Sequence, residues 1–150
     1  LAPAIKAVLK KYGVKGSIGV RHHSSLVVNI KEGVLDFIGA AQAHNDWYSE
    51  RNGTANYKVS GYLQVNPYWS AEWAMTAGYK KVAKFYDELV AAMKGEDWFD
   101  ESDIQSDYFH CSHYVDINVG IMFTLLKWIV LGYCAWMLLS LVWIALNVLQ

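Results

Sequence analysis

Residues 121–150 read IMFTLLKWIVLGYCAWMLLSLVWIALNVLQ, and Lys127 is the only side chain among them that is charged at neutral pH. A helix rises about 1.5 Å per residue, so about 20 apolar residues cross a hydrocarbon core of about 30 Å. Residues 128–148 have that length, and ten of them are Leu, Ile or Val. At roughly −0.3 to −0.6 kcal/mol each on an insertion scale, these ten outweigh the cost of Ser140 and Asn147. A core helix in a chain this small would carry a polar stripe, and this stretch has none. The expectation is a single C-terminal transmembrane helix over residues 121–150, with Lys127 at the membrane boundary.

Working outward, residues 1–119 become what that helix tethers, a length suited to one hydrophobic core. The mean hydropathy of +0.12 averages a mixed segment and an almost charge-free one. A net charge of −1 supplies no global field for nucleic acid. The charges are segregated, however. Lys6, Lys10, Lys11, Lys15, Arg21 and Lys31 precede the first acid, Glu32, whereas residues 96–116 hold seven acids and no Lys or Arg. Blocks of this kind lie on separate solvated faces, or form one patch for anionic lipid and one for a partner. Of the two cysteines, Cys134 falls in the expected span and is out of reach of Cys111. That leaves no disulfide framework and fits a reducing compartment. The opening LAPAIKAVLKKYG has helical spacing instead of the apolar core of a signal peptide.

The elements follow from periodicity. Ile5, Val8, Leu9 and Tyr12 recur at helical intervals with lysines opposite, and Gly13 closes that helix. Ile18 and Val20 share a face of one strand; Leu26, Val28 and Ile30 share a face of the next. His22, His23, Ser24 and Ser25 turn between them, predicting a hairpin. Lys31-Glu32-Gly33 then turns the chain into a helix over 34–50, ended by Arg51-Asn52-Gly53. Residues 57–65 alternate as a strand that Pro67 ends. Ser70 is the expected N-cap of one long helix whose apolar face runs Met75, Tyr79, Val82, Phe85, Tyr86, Leu89, Val90 and Met93 up to Gly95. After an acidic loop, residues 109–119 alternate again, with Phe109, Cys111, His113, Val115, Ile117 and Val119 inward. The fold class is α+β: a small four-stranded, mostly antiparallel sheet with helices on one face, followed by the transmembrane helix.

Three stretches carry a family resemblance: GVKGSIGVRHHSSLVVNIKEGVLDFI, LQVNPYW and SDIQSDYFHCSHYVDINVG. Over about residues 1–120 the chain resembles a small uncharacterised domain of tailed bacteriophages, akin to the large polyvalent protein-associated domains. The resemblance implies a phage accessory role and brings no activity, cofactor or catalytic residues. Domains of that kind continue past the matching VDINVG into a short polar tail, whereas this chain runs into its apolar stretch.

Reactive motifs are sparse. In His110-Cys111-Ser112-His113 the two histidines face opposite sides of a strand, so zinc would need further ligands from His22, His23 or His44. Asp97, Asp100, Glu101 and Asp103 lack the turn glycine and terminal Glu of a calcium loop. No G-x-S-x-G, phosphate-binding glycine loop, H-E-x-x-H or C-x-x-C occurs. The reading is therefore non-enzymatic, with no metal or cofactor. The suspect surface is the sheet face away from the helices, carrying Tyr62, His110, Tyr114 and Asp116 with Lys58, Gln64 and Asn118. Its tyrosines suit a protein partner, and Asp116 repels phosphate, so nucleic acid is not an expected partner. Trp128, Trp136 and Trp143 fall roughly on one face of the span, for helix packing or for lipid.

These features predict a protein of the bacterial inner membrane with its N-terminal domain cytoplasmic. There it binds a host or phage membrane protein and modulates or inhibits it. The competing readings are a self-assembling membrane oligomer or pore, and a membrane-tethered nucleic-acid-binding module reading through Lys6, Lys10, Lys11 and Lys15.

Overall fold

The computed structural model describes residues 1–103 and 105–120. The elements are α1 (Ala2–Lys11), β1 (Val14–Arg21), β2 (Ser25–Gly33), α2 (Phe37–Asn52), β3 (Leu63–Val65), α3 (Ser70–Thr76), α4 (Lys80–Lys94) and β4 (Tyr114–Val119). Together they make an α+β fold with four helices and one four-stranded sheet of order β1-β2-β4-β3. Among the described residues no helix is long and apolar enough to cross a membrane. The span expected over 121–150, with Lys127, Trp128, Trp136 and Trp143, lies outside them.

The sheet is mixed, antiparallel in two of its three pairings. β1 pairs antiparallel with β2, and β3 with β4, but the central strands β2 and β4 run parallel. The cause is the connection: α2, α3 and α4 return the chain to the start of the sheet before β4 begins, as a parallel neighbour requires. The hairpin joining β1 to β2 is as expected. His22 and His23 both have positive φ, 53° and 61°, the left-handed pair that a right-twisted two-strand turn favours. The expected turn at Lys31–Gly33 is absent, because β2 continues and Lys15 pairs with Glu32 at 2.7 Å.

One face of the sheet supplies Leu26, Val28 and Ile30 alongside Val115, Ile117 and Val119. Ile5 and Leu9 of α1, Phe37 and Ala40 of α2, and Val82, Phe85, Tyr86, Leu89 and Met93 of α4 close the core over it. Phe85 sits among Tyr12, Phe37 and Tyr86 at centroid distances of 5.2–5.7 Å. The tilted and edge-on geometries match the quadrupole preference of aromatic pairs. Burying a side chain such as Leu89 stabilises the fold by about 1.5–3 kcal/mol.

Three expected elements differ. The long helix beginning at 70 is two helices. Gly78 at φ +84° closes α3, with Tyr79 N–H donating to the Ala74 carbonyl and Gly78 N–H to the Met75 carbonyl. This pair of bonds terminates a helix. Ser70 is not its N-cap: Trp69 holds that position and Ser70 is buried as the first helical residue. The strand expected over 57–65 is confined to Leu63–Val65, since Tyr57 and Val59 bond to α2 instead. The strand expected over 109–119 begins only at Tyr114. Before it the chain folds on itself, with Asp100 bridged to Cys111 and Asp103 to Tyr108, and Phe109 is exposed.

Candidate functional site

The site grows from the polar side chains of α2. Asp36 caps this helix, accepting from Gly39 N–H at 2.8 Å, and Phe37 and Ala40 anchor its first turn in the core. Beyond that turn the inward positions change character. Gln42 takes both main-chain groups of an extended neighbour: its Oε1 accepts from Val59 N–H at 2.7 Å, and its Nε2 donates to the Tyr57 carbonyl at 3.2 Å. Asn45, itself buried, donates to the same carbonyl at 2.7 Å and to Asn56 Oδ1. Asp46 accepts from Asn56 Nδ2 and Gln42 Nε2, both at 2.8 Å. These two bonds hold its carboxyl below the usual aspartate range. A side-chain amide that reads an N–H and a C=O does the work of a neighbouring strand. Residues 56–59 are thus held beside α2 without a ladder.

Between that segment, α2 and β3 lies a hollow of about 650 Å³. Rings of His44, Tyr48, Tyr57, Tyr62 and Trp73 line it, with amides of Asn45, Gln64 and Asn66. Trp73 ties it to the core, its ring 5.7 Å from that of Tyr86 and 5.8 Å from His44. His44 also lies 5.9 Å from Trp47 and 6.4 Å from Tyr48. Burial in this aromatic group lowers its pKa, because imidazolium is poorly solvated there. No Asp, Glu, Lys or Arg lines the hollow among the described residues. The wall is therefore apolar, ring-rich and uncharged at neutral pH, the composition of a recognition cleft.

The residues expected on the sheet face away from the helices fall into three groups. Tyr114 and Asp116 do share it with Asn118, in register with Ser25, Val27 and Asn29. Asp116 faces Arg21 at 3.4 Å, and Tyr114 is 46% exposed. Tyr62 joins the two sides of the sheet edge: its ring lines the hollow while its hydroxyl donates to Asn118 Oδ1 at 3.0 Å. Asn118 in turn donates to Asn29 Oδ1 at 2.9 Å. His110 is off the sheet altogether. It sits in the loop before β4, 3.1 Å from Glu101 and between the rings of Phe99 and Tyr108.

That loop uses its acids internally. Asp103 accepts from the Ser106 hydroxyl and Gln105 N–H, and Asp100 from Ser102 N–H. Bonding first to the Ser106 and Ser102 side chains, then to main-chain N–H groups, holds both carboxyls below their ordinary pKa. Cys111 and His113 are both half-buried and line one small pocket with Trp98 and Val115. His113 Nε2–H donates to the Met93 carbonyl at 2.9 Å, fixing its tautomer, and its own carbonyl accepts from Trp98 Nε1–H at 3.0 Å. Among the described residues no group of three or more His, Cys, Asp or Glu is placed to hold a metal ion.

The residues missed from the sequence are Gln42, Asn45, Asp46, His44 and Trp73. A signal was available: Gln42, Asn45 and Ser49 occupy the inward spacing of a helix that starts with Phe37 and Ala40, and polar groups there need partners. Neither a family model, nor a curated protein, nor a solved structure matches this chain.

Proposed function

We propose that this chain is a non-enzymatic binding protein of the bacterial inner membrane. Its N-terminal α+β unit takes a protein partner in the hollow beside α2. Residues 121–150 hold it in the bilayer, with the N-terminal unit on the cytoplasmic side. The resemblance to a phage domain points to an accessory factor acting on a host or phage membrane protein. The observation that supports binding over chemistry is the character of the hollow. Its rings are open to contact, while the amides of Gln42 and Asn45 are already bonded to the wall they hold. What remains for a ligand is aromatic and apolar surface with the side-chain amides of Gln64 and Asn66, a mixture that protein interfaces favour.

The test is affinity purification of the full chain from bacterial membranes in mild detergent, with molar mass by light scattering. A stoichiometric membrane protein should accompany the native chain and Tyr114→Ala. It should be lost from the Tyr48→Ala/Tyr57→Ala double variant. Retention by the double variant and loss with Tyr114→Ala would move the site to the open sheet face. A discrete homo-oligomer without a partner would replace this reading with self-assembly. Recovery in the soluble fraction would remove the membrane from it.

A further inference from the structure

We infer that the partner enters this hollow as an extended, uncharged peptide segment that adds to the sheet beside β3. The inference rests on the binding reading above and specifies its mode.

The direction of the main chain in β4 decides which groups of β3 are available. Tyr114 N–H donates to the Ser24 carbonyl and Gly120 N–H to the Ile30 carbonyl, both at 2.9 Å. The main-chain groups of a strand alternate in direction. Even-numbered residues of β4 therefore point theirs toward β2, and odd-numbered residues point theirs toward β3. Leu63 stands opposite Val119 and Val65 opposite Ile117, so these two exchange their bonds with β4. Gln64, between them, directs its N–H and C=O to the outer edge. Its outward neighbours are already engaged: the Tyr62 carbonyl accepts from the Ser60 hydroxyl, and the Asn66 carbonyl from Trp69 and Ser70 N–H.

The hollow runs along this same edge. Leu63 and Val65 project toward the core and Gln64 toward the opposite face, yet all three line it. A cavity that touches both faces of a strand lies beside its edge. A peptide there would exchange two hydrogen bonds with Gln64 while its side chains meet Trp73, Tyr48 and Tyr57, the pattern of strand addition. At about 3.3 Å per residue, a handful of residues spans the three of β3 and its flanks. Charge selects the occupant further. A wall without Lys or Arg offers nothing to phosphate or to an acidic peptide, and one without Asp or Glu offers nothing to a basic peptide. The complementary segment is apolar and neutral.

The experiment uses the full chain in nanodiscs, with seven-residue peptides selected on it from a random library. Selected peptides should be neutral and rich in apolar residues. N-methylation of the one residue paired with Gln64 should weaken binding about tenfold or more, as expected when a main-chain bond is lost. Gln64→Pro removes the outward N–H without touching the bonds to β4, a substitution edge strands accept. It should reduce affinity to a similar degree, and by more than Gln64→Ala, which removes the side-chain amide but keeps the main-chain N–H. Peptides that bind Gln64→Pro normally and tolerate every N-methyl group, but fail with Tyr48→Ala/Tyr57→Ala, would overturn strand addition and leave the hollow as the site. Selection of charged peptides, or of none, would also overturn it. If Gln64→Pro fails to fold, the N-methyl series on the native chain decides alone.

Discussion

Helices α4 and α2 are nearly equal in length, 15 and 16 residues, and they do opposite things. α4 turns an unbroken apolar face inward and buries Val82, Phe85, Tyr86, Leu89 and Met93. α2 is apolar only in its first turn, then presents Gln42, Asn45 and Asp46 to an irregular neighbour. The first helix makes the fold; the second shapes a surface. An amphipathic stripe seals itself against a sheet and leaves nothing open. A helix whose inward residues are amides can hold a chain segment at a distance, and the space between becomes a cleft.

The contrast can be broken at several points. Leu89→Ala, in the middle of the sealed face, should destabilise the unit by about 2–5 kcal/mol in a chemical melt. A smaller loss would mean that the α4 core is loosely packed. Asn45→Ala leaves the Tyr57 carbonyl and Asn56 short of a donor, at a cost of about 1–3 kcal/mol. Its mark should be local, with hydrogen exchange accelerating over 54–62 and unchanged in α4. Equal acceleration in both would show that α2 belongs to the core in the same sense as α4.

Histidine 44 gives a smaller, pH-dependent effect. Its folded pKa lies below the ordinary value near 6.5, so the unfolded chain binds the proton more readily. Stability is then full above pH 6.5 and falls as the pH drops toward the lowered folded value. The melting temperature should decline between pH 7.5 and 5.5, and less so in His44→Phe. Identical slopes would show that the imidazole is as well solvated as in the unfolded chain. Smallest of all, Tyr114→Ala, at a half-exposed side chain, should leave the melting temperature unchanged, whereas a clear drop would mean that its ring is packed.

Much of the fold was legible because burial leaves a period in the sequence. Ile5 and Leu9, the hairpin strands, the α4 stripe and Val115-Ile117-Val119 all repeat at the spacing of the element they form. The failures have local causes. Alternation over 57–62 and 109–113 looks like strand, but other partners take those residues: the Gln42 and Asn45 side chains in the first case, the main chain of residues 99–103 in the second. Gly78 ended a helix whose apolar spacing continued past it into α4. The site was legible only at Tyr62 and Gln64. Its other members are drawn from α2, α3, β3 and the 54–62 segment, and no local spacing announces a cleft assembled from four places.

The most direct measurement is hydrogen–deuterium exchange on the full chain in nanodiscs, with and without the partner that the affinity purification is expected to recover. The partner should slow exchange over residues 54–66 and along the part of α2 that faces them, and leave Tyr114–Val119 unchanged. Protection confined to Tyr114–Val119 or to the acidic loop before it would contradict the assignment of the cleft beside α2 as the binding site.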